Sequence, residues 1–528
     1  MKKIGFKNFR KFVDFPITEY GPITFLVGRN NSGKSTLVKA LLLINNYFKS
    51  ESSSFIDFGN LDDLNVATFG RIKNNTLKND DSISFTIQIE NFEINIQITA
   101  NDENKRWARV IELCIKDLDQ GYVFEIYKGG GAVTKYKSNI IKKVESPVDL
   151  FDEEILTIRE KIEKLKGTKA NKEFLNLTDR LNYLLDKKNS FFQQNSESGS
   201  DESVDYSLEL GIVDDYKITN LDDLVIGSIE NWYDLALEEK ESKENGIKID
   251  EDDLFFKDEK EVEPYLHGYN DRNNIKKSLK KFSLLIRTVF YDYKYISVSS
   301  TKQKSLFYIK DKSNPITDAI NEYFNSGIEL YPGNIAWNFT RKWMKEFEIG
   351  DDLKILQHAG EAYEFKIISN NIETPLADKG MGSVQAMLLI LKMACIIKEN
   401  ELSEFSTYVS NFIITLIIEE PELNLHPALQ SKLADLFLYV NQLFYKKEIS
   451  SKIEFIIETH SEYLIRKTQL LVKENEFEIK PNENPFHVIY FDKDMKQWKM
   501  NYREDGKFVE EFGSGFYDES PTLTLKLF

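Results

Sequence analysis

Cysteine is almost missing from this 528-residue sequence; Cys114 and Cys395 are the only two. They offer no disulfide framework and no metal-ligand spacing, which suits a reducing, cytoplasmic compartment. The longest apolar stretches are broken by charge before they reach about 18 residues, so no membrane span or membrane partner is expected. The opening "MKKIGFKNFRKF" is basic, but no long apolar run follows it, and this excludes a secretory signal. A surplus of positive charge is lacking too. The net charge of −17 argues against a protein that coats nucleic acid through its whole surface, although a local basic patch would survive inside it. What is present is 41% apolar content, ample for a large core, in a length that suggests about three domain-sized units.

One segment near the front carries specific chemistry: "ITFLVGRNNSGKSTLVKALLLI". Ile23 to Val27 reads as a short apolar strand, and Leu37, Val38, Leu41 and Leu42 mark a helix after it. Between them, Gly28 to Ser35 fits G-x-x-x-x-G-K-[ST] in the strand–loop–helix context that the motif needs. In the loop Gly28, Arg29, Asn30, Asn31, Ser32, Gly33, the two glycines let backbone N–H groups turn inward to cradle phosphates. The helix N-terminus adds its positive dipole end. Lys34 is placed to reach the β- and γ-phosphates, Ser35 to ligate Mg²⁺, and Thr36 to sit close to the α-phosphate. The motif names a nucleotide-binding superfamily, not a reaction.

The most apolar run, Ile413 to Ile418 with only Thr415 polar, ends on Glu419 and Glu420, with Glu422 after a proline. Burying an ionised carboxylate is costly unless it is paired or sits near a cation. A phosphate-bound Mg²⁺ needs carboxylate help and an attacking water needs a base, and both are best held at a strand end beside a phosphate loop. Glu419 is therefore assigned to Mg²⁺, through water, and Glu420 to orienting and polarising the hydrolytic water. The bland alternative is an acidic turn capping a core strand. Upstream, "LADKGMGSVQAMLLILKMACII" puts Gly380 and Gly382 ahead of an apolar helix, another anion-binding turn that is a weak signal when taken alone. Downstream, a strand from Ile453 to Ile457 ends near Thr459, His460 and Ser461. A lone histidine is more often structural; this one lies where it could reach a γ-phosphate.

Taken in order (phosphate loop, glycine turn, acidic strand, "NLHP", histidine), these segments resemble the ABC-type ATPase heads of the SMC and RecF kind. Within that group the chain resembles the "EEPE…LHP" branch, which includes the ATPase parts of OLD-family nucleases and many anti-phage defence ATPases. "GFKNFRKFVDFPI" ahead of the loop has the same layout as those heads. More loosely, "YKYISVSSTKQKSLFYIKDKSNPI", Tyr293 to Ile316, is similar to the ATPase subunit of Septu-type defence systems, including retron-attached versions. The ending "GKFVEEFGSGFYDES" resembles that of one bacterial ATPase subgroup. The resemblance implies an α/β P-loop ABC-type head that uses ATP and Mg²⁺. It implies a homodimer, or a higher homo-oligomer, with ATP between the heads. The phosphate loop of one chain would face Gly380, Gly382, Ser383 and Gln385 of the other. Asn424, Leu425 and His426 would occupy the linking D-loop position, and His460 that of the switch histidine. It further implies a separate effector chain, a nuclease (HNH-type if Septu-like), and in retron versions a reverse transcriptase with its RNA and DNA. Two departures stand out. Glu419 replaces the more usual aspartate, as in this branch, and "KGMGSVQ" replaces Leu-Ser-Gly-Gly-Gln, without the usual serine before the first glycine.

The middle of the chain reads differently. "SISFTIQIENFEINIQITA", Ser82 to Ala100, alternates with period two and predicts an antiparallel β lobe. Ile155, Ile158, Ile162 and Leu165, then Phe174, Leu177, Leu181 and Leu184, flank a turn at "KGTKAN". They read as a short coiled-coil stub or as an ordinary helical hairpin. "QQNSESGSDESVD", Gln193 to Asp205, predicts a loop. The acidic run Leu237 to Pro264 is read as a solvated surface, with docking of a basic partner or mimicry of nucleic-acid charge as the alternatives. Lys276, Lys277, Lys280 and Lys281 form a candidate basic stripe on a helix. The expected domains are an N-terminal ATPase lobe over 1–145, a helical hairpin and acidic insertion over 146–281, and a C-terminal ATPase lobe over 282–528.

The leading expectation is a slow, regulatory ATPase whose open or closed state controls an effector in anti-phage defence. Ser461 to Phe528 holds one more strand, "FHVIYFD", and shows no added acidic cluster with metal-site spacing, so any nuclease is expected on another chain. The alternative is a DNA-repair or chromosome-maintenance ATPase that binds DNA across its dimer; tight, salt-dependent DNA binding by the chain alone would mark it. A small-molecule kinase would not need the glycine turn, "NLHP" and histidine together.

Overall fold

The computed structural model describes residues 2–50, 54–58, 68–76, 82–100, 104–128, 136–143, 204–213, 225–235, 259–297, 301–311, 313–402, 411–475, 477, 484–492, 496–513, 516–517 and 519–526. They form two compact units. One comprises Met1–Glu90, Gln97–Arg109 and Leu284–Phe528, and the other Asn91–Ile96 and Val110–Ser283. This division differs from the three consecutive segments expected from sequence. The two ATPase lobes share one unit, and Val110 to Lys143 belong to the other.

In the first unit the elements that carry the argument are β1 (Lys2–Phe9), β2 (Phe12–Tyr20), β3 (Ile23–Gly28), α1 (Lys34–Lys49), β4 (Ser82–Ile89), β5 (Asp292–Ser297), α2 (Ile335–Glu346), α3 (Met381–Asn400), β6 (Ile413–Glu419), α4 (Pro427–Tyr445), β7 (Lys452–Thr459), α5 (Glu462–Glu474), β8 (Phe486–Phe491) and β9 (Gln497–Met500). The main sheet has the order β5-β6-β7-β3-β8-β9. The first five strands run parallel and β9 closes the edge antiparallel to β8. Every residue of β3 is buried, as are the first six of β6. That is the pattern of parallel strands covered on both faces, and it explains runs that are apolar without alternation.

Strand β1 pairs antiparallel with β2 and β4. Phe6, Phe9, Phe12, Phe15 and Phe85 pack there ring against ring, with Phe6 stacked on Phe15 at 4.4 Å between centroids. β4 and the strand Phe92–Thr99 alternate buried and half-buried positions, as the period-two reading predicts.

Helix α3 is the core helix of this unit, with thirteen buried residues. Among the described residues it is the one helix long and apolar enough by composition to cross a membrane. Lys392 interrupts its sequence, and 72% of its most apolar stretch is nevertheless buried inside the protein. At its far end the Asn400 carbonyl accepts from the Ser450 N–H at 2.8 Å. The next residue, Glu401, accepts the Ala336 N–H of α2 at 2.8 Å.

In the second unit, strands Tyr122–Lys128, Tyr136–Lys143 and Val204–Val213 form an antiparallel meander. The helix Glu259–Val289, which belongs to this unit as far as Ser283, carries Ser278, which donates to the buried Asp117, and Asp271, which accepts from Tyr122 at 2.5 Å. It also carries the lysine stripe. Lys277, Lys280 and Lys281 are exposed, and Lys281 lies 3.4 Å from Asp119. Val204 and Asp205, expected in a loop, begin the last strand of the meander. The expected hairpin Ile155–Leu184, residues 193–203 and residues 237–258 lie outside the described residues.

Candidate nucleotide site

The site grows from strand register. Glu419 at the end of β6 pairs with Glu458 on β7, Thr459 pairs with Val27 on β3, and Gly28 pairs with Phe491 on β8. The carboxyl ends of four parallel strands therefore finish level, which is where open α/β sheets hold their ligands.

Gly28 leaves β3 at φ 139° with its α-carbon against the Phe491 backbone; a β-carbon there would fall on the Phe491 carbonyl oxygen. Gly33 caps α1 at φ 110°, above the ring of Phe12. Arg29, Asn30 and Asn31 are exposed, whereas Ser32, Gly33, Lys34 and Thr36 are buried. Lys11 holds the Asn31 carbonyl at 2.8 Å, and Ser32 Oγ donates to the Arg29 carbonyl at 2.8 Å. Lys34 Nζ turns back into the loop and donates to the carbonyls of Gly28 (3.0 Å) and Arg29 (2.8 Å). Burial lowers its pKa. The loop is thus wrapped around its own ammonium, at the place where phosphates would replace those carbonyls.

Four carboxylates stand there in distinct surroundings. Glu419 is half-buried and hydrogen-bonds the phenol of Tyr295 on β5, whose pKa is raised by burial and by that contact. Glu420 sits at φ 46°, an uncommon conformation for a residue with a β-carbon, and its N–H donates to the Glu458 carbonyl at 2.8 Å. Its carboxylate is 3.7 Å from His460 Nε2. Glu422 is buried, accepts the His460 N–H at 2.6 Å, and has its pKa raised by burial. Glu458 accepts from Ser35 Oγ at 3.1 Å and lies 3.9 Å from Lys34 Nζ. Burial pushes its pKa up to about 7, against the pull of Lys34.

The sequence reading gave no role to Glu458. Its signal was present in "IEFIIETH", an acid at the end of an apolar strand, but its meaning depends on β7 lying between β3 and β6. Gln430 of α4 was missed as well. It donates to the Leu425 carbonyl at 3.0 Å and accepts from Ser461 Oγ at 2.6 Å, tying the "NLHP" turn to the residue after His460.

The glycine turn meets that same "NLHP" turn within the chain. Helix α3 begins at Met381, so Gly382 lies in its first turn, and a β-carbon there would overlap the Asn424 carbonyl oxygen. Asn424, at φ 57°, donates through Nδ2 to Gln385 Oε1 at 3.1 Å. Gly380 faces open space and Ser383 is half-buried. His426 is exposed and caps α4, with Nδ1 accepting from the Ala428 N–H at 3.3 Å.

The profile of the family described as "AAA ATPase domain" matches residues 1–465. The chain belongs to this family. As an AAA ATPase domain of the SMC/RecF-like, ABC-type kind, it is an ATPase with an α/β P-loop head. No curated protein matches it. Among solved structures it aligns with the recombination mediator protein RecF in the RecFOR pathway. The structure with ATPrS shows 12% identity over 94% of this chain and 97% of RecF, with a TM-score of 0.28. The structure with ATP shows 11% identity and a TM-score of 0.26 over the same shares.

The residues of this AAA ATPase domain fit a phosphate-bound divalent cation. Ser35, Glu458 and Glu419 offer oxygen ligands of the hard type such cations take, and Glu458 Oε2 is buried without a hydrogen-bond partner. Among the described residues no three His, Cys, Asp or Glu side chains gather into a metal site on their own, so a cation here would share its shell with nucleotide phosphates.

His460 has its pKa lowered to about 4, first by burial and then by the charge of Lys34. Between about pH 4 and 6.5 the unfolded chain binds this proton and the folded one does not, so the contribution of His460 to stability rises with pH in that window. Histidine NMR is expected to show His460 as a neutral imidazole down to about pH 5. A titration near 6.5 at this position would contradict the burial.

Proposed function

We propose that this ATPase works as a pair of heads that ATP closes and hydrolysis reopens, and that this cycle governs a separate effector chain, a nuclease, in anti-phage defence. The observation that supports it best is the coupling of three elements within one chain. The Asn424 turn touches Gly382 of the glycine turn, connects through Gln430 to Ser461, and follows directly on Glu420. A turn tied to both the hydrolytic carboxylate and the partner-facing glycines suits a site that reports its nucleotide state across an interface. The neutral His460 then donates its ring N–H to a γ-phosphate oxygen, Glu420 polarises the attacking water, and Lys34 leaves its backbone carbonyls for the phosphates. Ser35 and Glu419 would hold Mg²⁺, which supplies charge to the β- and γ-oxygens when bound.

The test is native mass spectrometry in ATP of the wild type and Glu420→Gln, each purified with the products of neighbouring genes. ATP-dependent dimers that retain a nuclease-like chain support the reading. Dimers that run alone and capture DNA would replace it with the repair reading. A second variant probes the interface directly. Gly382→Ala pushes on the Asn424 carbonyl and is expected to spare ATP binding, lower turnover about a hundredfold and abolish the ATP-dependent dimer. Light scattering that shows an unchanged dimer would remove the glycine turn from the interface.

A further inference from the structure

We propose that Glu458 is a direct ligand of the divalent cation in the loaded site, partnering Ser35. The inference rests on the reading of the phosphate loop as a cation-dependent ATP site and concerns a residue which that reading did not use.

Strand order makes the case. β7 is hydrogen-bonded to β3, whereas β6, which carries Glu419, lies one strand farther out, a further ~4.8 Å across the sheet. Of the two paired glutamates, Glu458 is the one beside the phosphate loop. Its Oε1 already holds the Ser35 hydroxyl at 3.1 Å, the group through which such loops bind their cation. Its Oε2 is buried with no hydrogen-bond partner. A buried acceptor left in that state costs free energy unless something arrives to meet it.

The neighbouring charge points the same way. Lys34 Nζ stands 3.9 Å from Glu458 while donating to Gly28 and Arg29. When Lys34 turns to the phosphates of ATP, Glu458 loses a positive neighbour, and a divalent cation on Ser35 restores one. Glu419 has a different partner, the phenol of Tyr295, which suits a role through water. A merely structural Glu458 would hold Ser35 and Lys34 in place and have no bearing on the cation.

The experiment titrates Mn²⁺ by electron paramagnetic resonance into protein saturated with a non-hydrolysable ATP analogue. Analogue binding is measured separately in EDTA. Glu458→Gln is expected to weaken Mn²⁺ about tenfold or more and to leave analogue binding in EDTA within about twofold. Glu420→Gln removes a nearby charge without removing a proposed ligand and should move Mn²⁺ much less. Equal shifts in the two variants would reduce the effect to electrostatics and overturn the assignment. A loss of analogue binding that is the same with and without metal would make Glu458 a positioning residue for Lys34 and Ser35 only. Wild-type analogue binding that ignores Mn²⁺ would overturn the cation reading itself, and this assignment with it. Should the amide variant not fold, Glu458→Asp keeps the charge and shortens the arm: weakened Mn²⁺ supports ligation and unchanged affinity refutes it.

Discussion

Replacing Glu420 by glutamine is expected to lower ATP turnover about 10²–10⁴-fold while ATP stays bound, the range that a positioned general base contributes. The backbone explains why this glutamate and not its neighbours. The chain leaves β6 with Glu420 in the left-handed region and pins its N–H to the Glu458 carbonyl at 2.8 Å. That turn brings its carboxylate 3.7 Å from a neutral His460. Glutamine keeps the shape and the left-handed turn but cannot take a proton from water. Phosphate release in a single turnover, read beside nucleotide binding, separates the two effects. Turnover within threefold of wild type would assign the base elsewhere, and equal loss of binding would show that the substitution disturbed the phosphate loop.

Gly28→Ala should be the most damaging substitution for folding. The position has φ 139°, and the new methyl would fall on the Phe491 carbonyl oxygen. Backbone on a paired strand cannot turn aside as a side chain can. The strained dihedral and the overlap each cost about 1–3 kcal/mol, so the loss should reach about 2–6 kcal/mol and open the β3–β8 pairing. Gly380→Ala is the control. That glycine has an ordinary extended backbone and open space where its β-carbon would go, and the change should stay within about 0.5 kcal/mol. Urea denaturation of both variants gives the comparison; similar midpoints would mean that β8 yields.

The contrast between those two glycines shows what was legible in the sequence. The strand–loop–helix around Gly28, the apolar strands ending on acids, and the alternation through Ser82–Ala100 follow from local periodicity. Periodicity could not rank Glu458 against Glu419, because that needs the order of strands brought together from opposite ends of the chain. Nor could it show that Gly382 rests on Asn424, or that Lys34 is folded into its own loop. The expected helical hairpin falls in residues 155–184, outside those described. Nor does local pattern show that β1–β4 and β5–β9 share one unit, because just over two hundred residues separate them.

Helix α3 has twenty residues and so spans about 30 Å. One tip rests on the carbonyl of Asn424; the other passes into Glu401, which holds the first turn of α2. With core packed along its length, it is a clamped strut, since close packing resists both bending and sliding. Displacing Asn424 would press on a rod whose other end is joined to Ala336, so a partner seated near α2 would touch the same rigid part as the glycine turn.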